Sequence, residues 1–319
     1  MSPRRVTPAG YQRTAVVALV MLCVIVVTGA LVRLTGSGLG CTDWPACNEE
    51  RIIDVSTGHG AIEQLNRLFT GVVAIAVAFA VLGSIWRVPR RSDLVRLSLG
   101  LVAGVVGQIV LGGIVVLTDL HPAANQGHFL LSMILVANAL VLVKRAGEPD
   151  GARRLAAVGP VTTRLVWLVA ALTTLAVLSG TVVTGTGPHA GDEEARRFGF
   201  DISNVARIHA GAVLAAVAAA VVLGWWLLRR SRTDRAVLAQ PLETFLVLAV
   251  VQGAVGYTQY FNDVPAALVA IHVALATAVF LAAVWLVLAT RKALAPSQEP
   301  GQANAAREAA TQRNSLTVS

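Results

Sequence analysis

The sequence predicts an all-α integral membrane protein whose eight transmembrane helices form two repeated four-helix bundles of parallel topology. Three observations carry that expectation. Over half of the 319 residues are apolar and only 14% are charged, against about 25% in soluble domains, and the mean hydropathy is +0.67. Apolar runs of about 20 residues, enough to cross ~30 Å of hydrocarbon, recur along the whole chain. Segments of the first half also return in the second at a nearly constant offset.

The spans fall at about 14–33, 62–86, 97–117, 125–143, 163–184, 205–228, 238–257 and 266–289. The resulting organisation is an N-terminal segment 1–13, a four-helix half 14–143, a linker 144–162, a second half 163–290 and a tail 291–319. The first span reads as a retained helix rather than a cleaved leader. It is long, lacks a small-residue cleavage site and runs into a motif with a later counterpart. That motif is Val26 to Gly38, matched by Val177 to His189, with Gly29 aligned to Gly180, Thr35 to Thr186 and Gly36 to Gly187. Loops after the first and fifth spans are long, and those after the third and seventh are short. Four spans per half is an even number, so the halves are expected to be related by an axis along the membrane normal. The linker carries Lys144, Arg145, Arg153 and Arg154, and the tail is polar without an apolar period, which predicts disorder.

A net charge of +8 suggests nucleic acid until its distribution is considered. Only six of the 26 basic residues, Arg33, Arg51, Arg67, Arg196, Arg197 and Arg207, lie in or near the loops of one side. The other 20 lie at the termini and in the loops of the opposite side. This positive-inside bias predicts both termini in the cytoplasm and excludes nucleic acid as the partner, leaving lipid. Cys41 and Cys47 then fall in the first external loop, where the oxidising compartment favours a disulfide over the alternative of two free thiols. Cys23 is mid-span and reads as a small buried apolar residue.

Four corresponding positions carry the chemistry. His128 and His272 are 144 residues apart, and each follows a glutamine, Gln108 or Gln252, by twenty residues. Asn66 and His209 are 143 apart. Imidazoles projecting from facing membrane helices are suited to axial ligation of haem iron, and ionisable groups inside a membrane are functional by default. His209 and His272, at similar depth in repeat-related helices, form the candidate bis-histidine haem site. The bland alternative is two histidines hydrogen-bonded to neighbouring helices. In the first half His128 keeps its imidazole and Asn66 stands at the place that matches His209. Glu63, Asn66 and Arg67 share one face of a helix start. Glu63 is either a capping and ion-pairing residue or a carboxylate over an open haem face, placed to move protons. Arg67 and Arg207 are candidate partners for haem propionates, with Asp192 and Asp201 as competing partners. His59 and His121 read as solvated loop histidines, and His189, in a tight turn, as structural or propionate-contacting.

The segment Gly38 to Cys47, the segment Ile62-Glu63-Gln64-Leu65-Asn66-Arg67-Leu68, the turn Thr184 to Asp192 and Ile208-His209-Ala210 together resemble bacterial haem A synthase over about residues 12–290. The resemblance implies a multi-pass enzyme of the bacterial cell membrane that oxidises the C8 methyl of haem O to a formyl group. Two successive hydroxylations give a diol that loses water, and the haem A product serves cytochrome c oxidase. It implies haem b on His209 and His272, haem O on His128, catalysis by Glu63, and a Cys41–Cys47 disulfide. Haem O synthase and cytochrome c oxidase assembly factors are the implied protein partners, and an oligomer is compatible with the sequence. The familiar pattern places histidine where this chain has Asn66. Two other readings compete. A non-catalytic dihaem b-type electron carrier predicts four intact ligands and leaves Glu63 without a task. A repeat-built transporter predicts polar residues at the membrane midplane rather than near the span ends.

Overall fold

The structure is a computed structural model and describes residues 5–296. Its eight long helices are α1 (Pro8–Leu34), α2 (Gly58–Trp86), α3 (Ser92–Leu117), α4 (Pro122–Ala146), α5 (Pro160–Thr186), α6 (Ile202–Arg230), α7 (Arg232–Phe261) and α8 (Ala266–Ala289). All eight are long and apolar enough to cross a membrane. Each contains the corresponding apolar run and extends past most of its ends, because caps lie outside the hydrophobic stretch. Thr7, Thr57, Asp201 and Ser231 each accept a backbone N–H with their side chains at a helix start. Helix α7 shows the largest extension: it begins at Arg232, six residues before the apolar run, and continues through Pro241.

Helices α1 to α4 close into a ring through the contacts α1–α2, α2–α3, α3–α4 and α1–α4. Helices α5 to α8 close in the same way, and α8 meets both α1 and α4 while α4 also meets α5. Each ring has its own core. Tyr11, Ala15, Ala18, Leu22 and Val26 supply α1's inward stripe, and Ala212, Ala216, Ala219, Leu223 and Leu227 supply that of α6, both at the helical repeat of three and four. Small residues on these stripes let backbones approach, which is how helices associate in lipid, where the hydrophobic effect gives no preference. Large apolar side chains such as Val20, Phe79, Val106, Trp167, Leu214 and Val250 cover the outside, as a lipid-solvated surface requires.

The face carrying the chain ends is held by charge. Arg87, 1% exposed, pairs with Asp150 at 2.7 Å, and Arg154 bridges Asp93 at 3.0 Å and Glu148 at 2.8 Å. Burial pushes the Glu148 carboxyl above its ordinary value, against the opposing pull of Arg145 and Arg91. The linker also contributes strand β1 (Arg153–Ala156), antiparallel to β2 (Arg291–Leu294). The first four residues of the segment expected to be a disordered tail are therefore ordered by pairing, and the tail beyond Pro296 lies outside the described residues.

On the opposite face, the α3–α4 and α7–α8 turns use the same rare backbone. Asp119 and Leu120, and 144 residues later Asp263 and Val264, all have φ between 52° and 58°. Leucine and β-branched valine seldom adopt the left-handed region, and each such residue costs on the order of 1–3 kcal/mol. The surroundings hold them there. Leu120 is buried with Val115, Ala190 and Ala195, while the Val264 carbonyl accepts a 2.7 Å bond from His189 Nε2.

One buried carboxylate joins three helices of the second ring. Asp234 of α7 accepts the Gly159 N–H at the start of α5 at 3.2 Å and the Thr162 hydroxyl at 2.5 Å, and the indole of Trp226 in α6 donates to that hydroxyl at 3.1 Å. Asp234→Ala is expected to lower stability by about 2 kcal/mol, the worth of hydrogen bonds to a charged acceptor. A lower midpoint of thermal unfolding in detergent would register the loss, and Asp234→Asn should retain part of it.

Candidate functional site

In the second ring, α6 and α8 lie diagonally and bring His209 and His272 face to face. Their ring centres are 6.4 Å apart with planes at 69°. His209 is fixed from behind. Its Nδ1 donates to the Ala176 carbonyl at 3.0 Å and lies 3.2 Å from Ser179 Oγ, both on α5. With the proton on Nδ1, Nε2 keeps the lone pair that a metal ligand needs. His272 is set by the helix behind it. Gln252 Nε2 of α7 donates to the His272 carbonyl at 3.0 Å, and the His272 Nδ1 is buried without a protein partner.

Glycine makes room for each ring. A β-carbon built on Gly180 would stand 3.0 Å from His209 Cε1, and one on Gly256 would stand 3.1 Å from His272 Cε1. Any larger residue at either place would push the ring out of line. Two metal–imidazole bonds of about 2 Å on opposite sides of one ion, with the ring radii added, need roughly 6 Å between ring centres. The observed 6.4 Å and the Nε2 that the His209 tautomer leaves free therefore fit a haem iron held between His209 and His272.

The first ring repeats half of this arrangement. A β-carbon built on Gly112 of α3 would stand 3.5 Å from His128 Cε1 of α4, and Gln108 Nε2 donates to the His128 carbonyl at 3.0 Å. The His128 Nδ1 is again buried and unpaired. On α2, at the position matching His209 in the other half, stands Asn66, and its Oδ1 is also buried without a partner. A single imidazole fits a haem held from one side; an amide does not supply the second ligand.

Above Asn66 the first ring has what the second lacks. Glu63 Oε1 receives Arg67 Nη2 at 2.7 Å and Nε at 2.9 Å, while Oε2 accepts the Cys41 backbone N–H at 2.8 Å. Arg67 spends its remaining donors on the carbonyls of Ala46 and Asp43, each at 3.2 Å. The corresponding residues of the second ring are Ala206 and Ala210. The ion pair is clamped by the loop between α1 and α2, which the Cys41–Cys47 disulfide closes and whose Trp44 packs on Gly113 of α3. Farther along this loop, hydrogen bonds from Ser56, with Asn48 and the charge of Arg51, hold Asp54 below the usual carboxylate range.

The remaining candidates separate. Arg207 is exposed and pairs with neither Asp192 nor Asp201. His189 is a structural tie between the α5–α6 and α7–α8 loops. His121 caps α4 by accepting the Ala123 N–H, and His59 Nδ1 lies 3.0 Å from Ser37 Oγ. Cys23 is half-buried and free. Sequence reasoning missed Ala176, Ser179 and the glycines as partners of the rings, and it missed Arg33, whose guanidinium donates to Thr184 O at 2.7 Å and joins the halves. The matched positions of Gly29 and Gly180, and of Gly112 and Gly256 four residues after Gln108 and Gln252, were the available signals for the glycines.

These features define a class: a multi-pass helical membrane protein with an imidazole pair buried in one ring and a carboxylate over a single imidazole in the other. A family model described as cytochrome oxidase assembly protein matches residues 12–57. A protein named Heme A synthase from Lysinibacillus sphaericus is 36% identical over 139 residues, covering 43% of this chain and 45% of the relative. Proteins of the same name from Listeria welshimeri and Bacillus mycoides are 30% and 31% identical over similar stretches. The match spans less than half the length of each of these relatives. Together these matches support the haem A synthase family for this chain.

The Glu63–Arg67 pair is a buried one, so removing one partner strands the other. Arg67→Leu is expected to cost about 3 kcal/mol. Combining it with Glu63→Gln should recover part of that loss, which paired unfolding curves in detergent would show.

Proposed function

We propose that this chain is a haem A synthase, an oxidoreductase converting the C8 methyl of haem O to the formyl of haem A for cytochrome c oxidase. The asymmetry between the two rings carries the reading. One ring presents two facing imidazoles with Ala206 where the other has Glu63, which suits electron transfer; the other presents one imidazole and a clamped carboxylate. The division into a reactive half, 14–143, and an electron-transferring half, 163–290, follows from it. Both termini are assigned to the cytoplasm, which puts the disulfide loop on the oxidising side.

Haem b bound between His209 and His272 would supply one-electron transfer. The Ala176 carbonyl keeps His209 in the tautomer that leaves Nε2 free, and Gln252 holds α8 in register so that His272 faces it. In the other half, His128 would hold haem O, the substrate, from one side. Glu63 lies one turn from Asn66 toward the disulfide loop, with Oε1 on Arg67 and Oε2 on the Cys41 N–H, and would receive protons as the methyl is oxidised. Methyl to formyl is a four-electron oxidation that gains one oxygen atom, so it needs an electron acceptor, an oxygen source and proton transfer at the reacting carbon, and the last is the role given to Glu63. Arg67 is committed to Glu63 and the loop, which makes it a positioning residue for the carboxylate. Arg207, exposed near the second site, is the better candidate for a haem propionate.

A dihaem electron carrier explains the His209–His272 pair but not the buried Glu63–Arg67 pair found only in the first ring. Expression in a host that makes haem O but no haem A, followed by haem extraction and mass analysis, separates the two. Formyl haem is the expected product, whereas bound haem with no conversion in a preparation containing haem O sinks the synthase reading. Glu63→Gln should lower conversion by at least about 100-fold, the scale of lost acid–base catalysis, with haem still bound. His209→Ala should remove the low-spin haem spectrum of the second ring, and an unchanged spectrum would refute that ligand assignment.

A further inference from the structure

Three of the four corresponding positions combine an imidazole with a glycine on the preceding helix: His128 with Gly112, His209 with Gly180, and His272 with Gly256. The fourth retains the glycine without the ring. Gly29 occupies the repeat position of Gly180, and a β-carbon built on it would meet nothing within 4 Å. Its direction follows from α1's buried stripe Ala15, Ala18, Leu22 and Val26, which continues at the same helical spacing to Gly29. Asn66 faces inward by the same test, lying seven residues before Val73 on the stripe that runs on to Val77 and Ala80. Its Oδ1 is buried and unpartnered, an exception in structures where buried polar atoms are paired.

From these observations we infer that the Gly29–Asn66 position is a binding site for a small neutral nitrogen heterocycle, with free imidazole as its fitting probe. Gly29 leaves the ring space that its three counterparts use, and Asn66 removes the side chain that would fill it. Opposite His128 this makes the sixth position of the first-ring haem exchangeable, whereas the His209–His272 site is closed. The inference rests on the proposed haem at His128.

The test uses the full-length protein purified with its haems, followed by optical and electron paramagnetic resonance spectra. The wild type should show a high-spin signal beside the low-spin one, and added imidazole should abolish the high-spin signal while leaving the other unchanged. Asn66→His should abolish it without added imidazole. Gly29→Leu should keep it and no longer respond to imidazole, and its retained low-spin signal shows that the fold survives. A wild type without high-spin haem, or one whose high-spin signal ignores imidazole, overturns the inference. A further variant separates this failure from that of the underlying reading: if His128→Ala leaves haem content and spectra unchanged, the haem at His128 is itself refuted.

Discussion

An imidazole between membrane helices needs room against the neighbouring helix and a fixed register, and here a glycine gives the room while a polar anchor holds the ring of His209 and the backbone carbonyls of His128 and His272. Much of this fold follows from that requirement. Gly180, Ala176 and Ser179 of α5 serve His209, while Gly256 and Gln252 of α7 serve His272. Gly112 and Gln108 of α3 serve His128. In each case an odd-numbered helix supports a ring carried by the next even-numbered one, and the ring points across the bundle. Closing each bundle as a ring of four makes the even-numbered helices diagonal, which lets His209 and His272 face at 6.4 Å. The left-handed pairs ending at Leu120 and Val264 lie eight residues before the histidines, and α4 and α8 start two residues after them.

The two rings share this frame and differ in what covers it. The second is tied by His189 to Val264 and has no acidic residue one turn from its ligand, where Ala206 stands. The first is covered by a disulfide-closed loop that donates the Cys41 N–H to Glu63 and accepts from Arg67 through two carbonyls. A carboxylate buried in this way keeps a fixed position, and that is what proton transfer in the proposed reaction demands. Arg33, reaching from α1 to the Thr184 carbonyl of α5, keeps the two sites in one assembly.

Much of the frame was legible because it is written in periodicity. The eight spans, the long loops and the matched offsets of His128 and His272 are one-dimensional patterns. The proximity of Cys41 and Cys47 and the shared face of Glu63 and Arg67 are local enough to follow from spacing. What was hidden depends on backbone groups, which every residue possesses and which therefore leave no mark. The Cys41 N–H on Glu63, the Ala176 carbonyl behind His209 and the carbonyls that occupy Arg67 belong to this set. The β1–β2 pairing was hidden for another reason: four residues in a linker and four at the head of a tail, each two basic and two apolar, show no strand pattern until they meet. Helix ends were misjudged at α7, where Ser231 and Asp234 cap a polar extension that hydropathy ignores.

The central claim is that His209 and His272 hold one haem between two imidazoles. Near-infrared magnetic circular dichroism of the oxidised, haem-loaded protein reports the pair of axial ligands directly. The account predicts a bis-imidazole charge-transfer band; a band characteristic of any other ligand pair, or none from the low-spin haem, would contradict it.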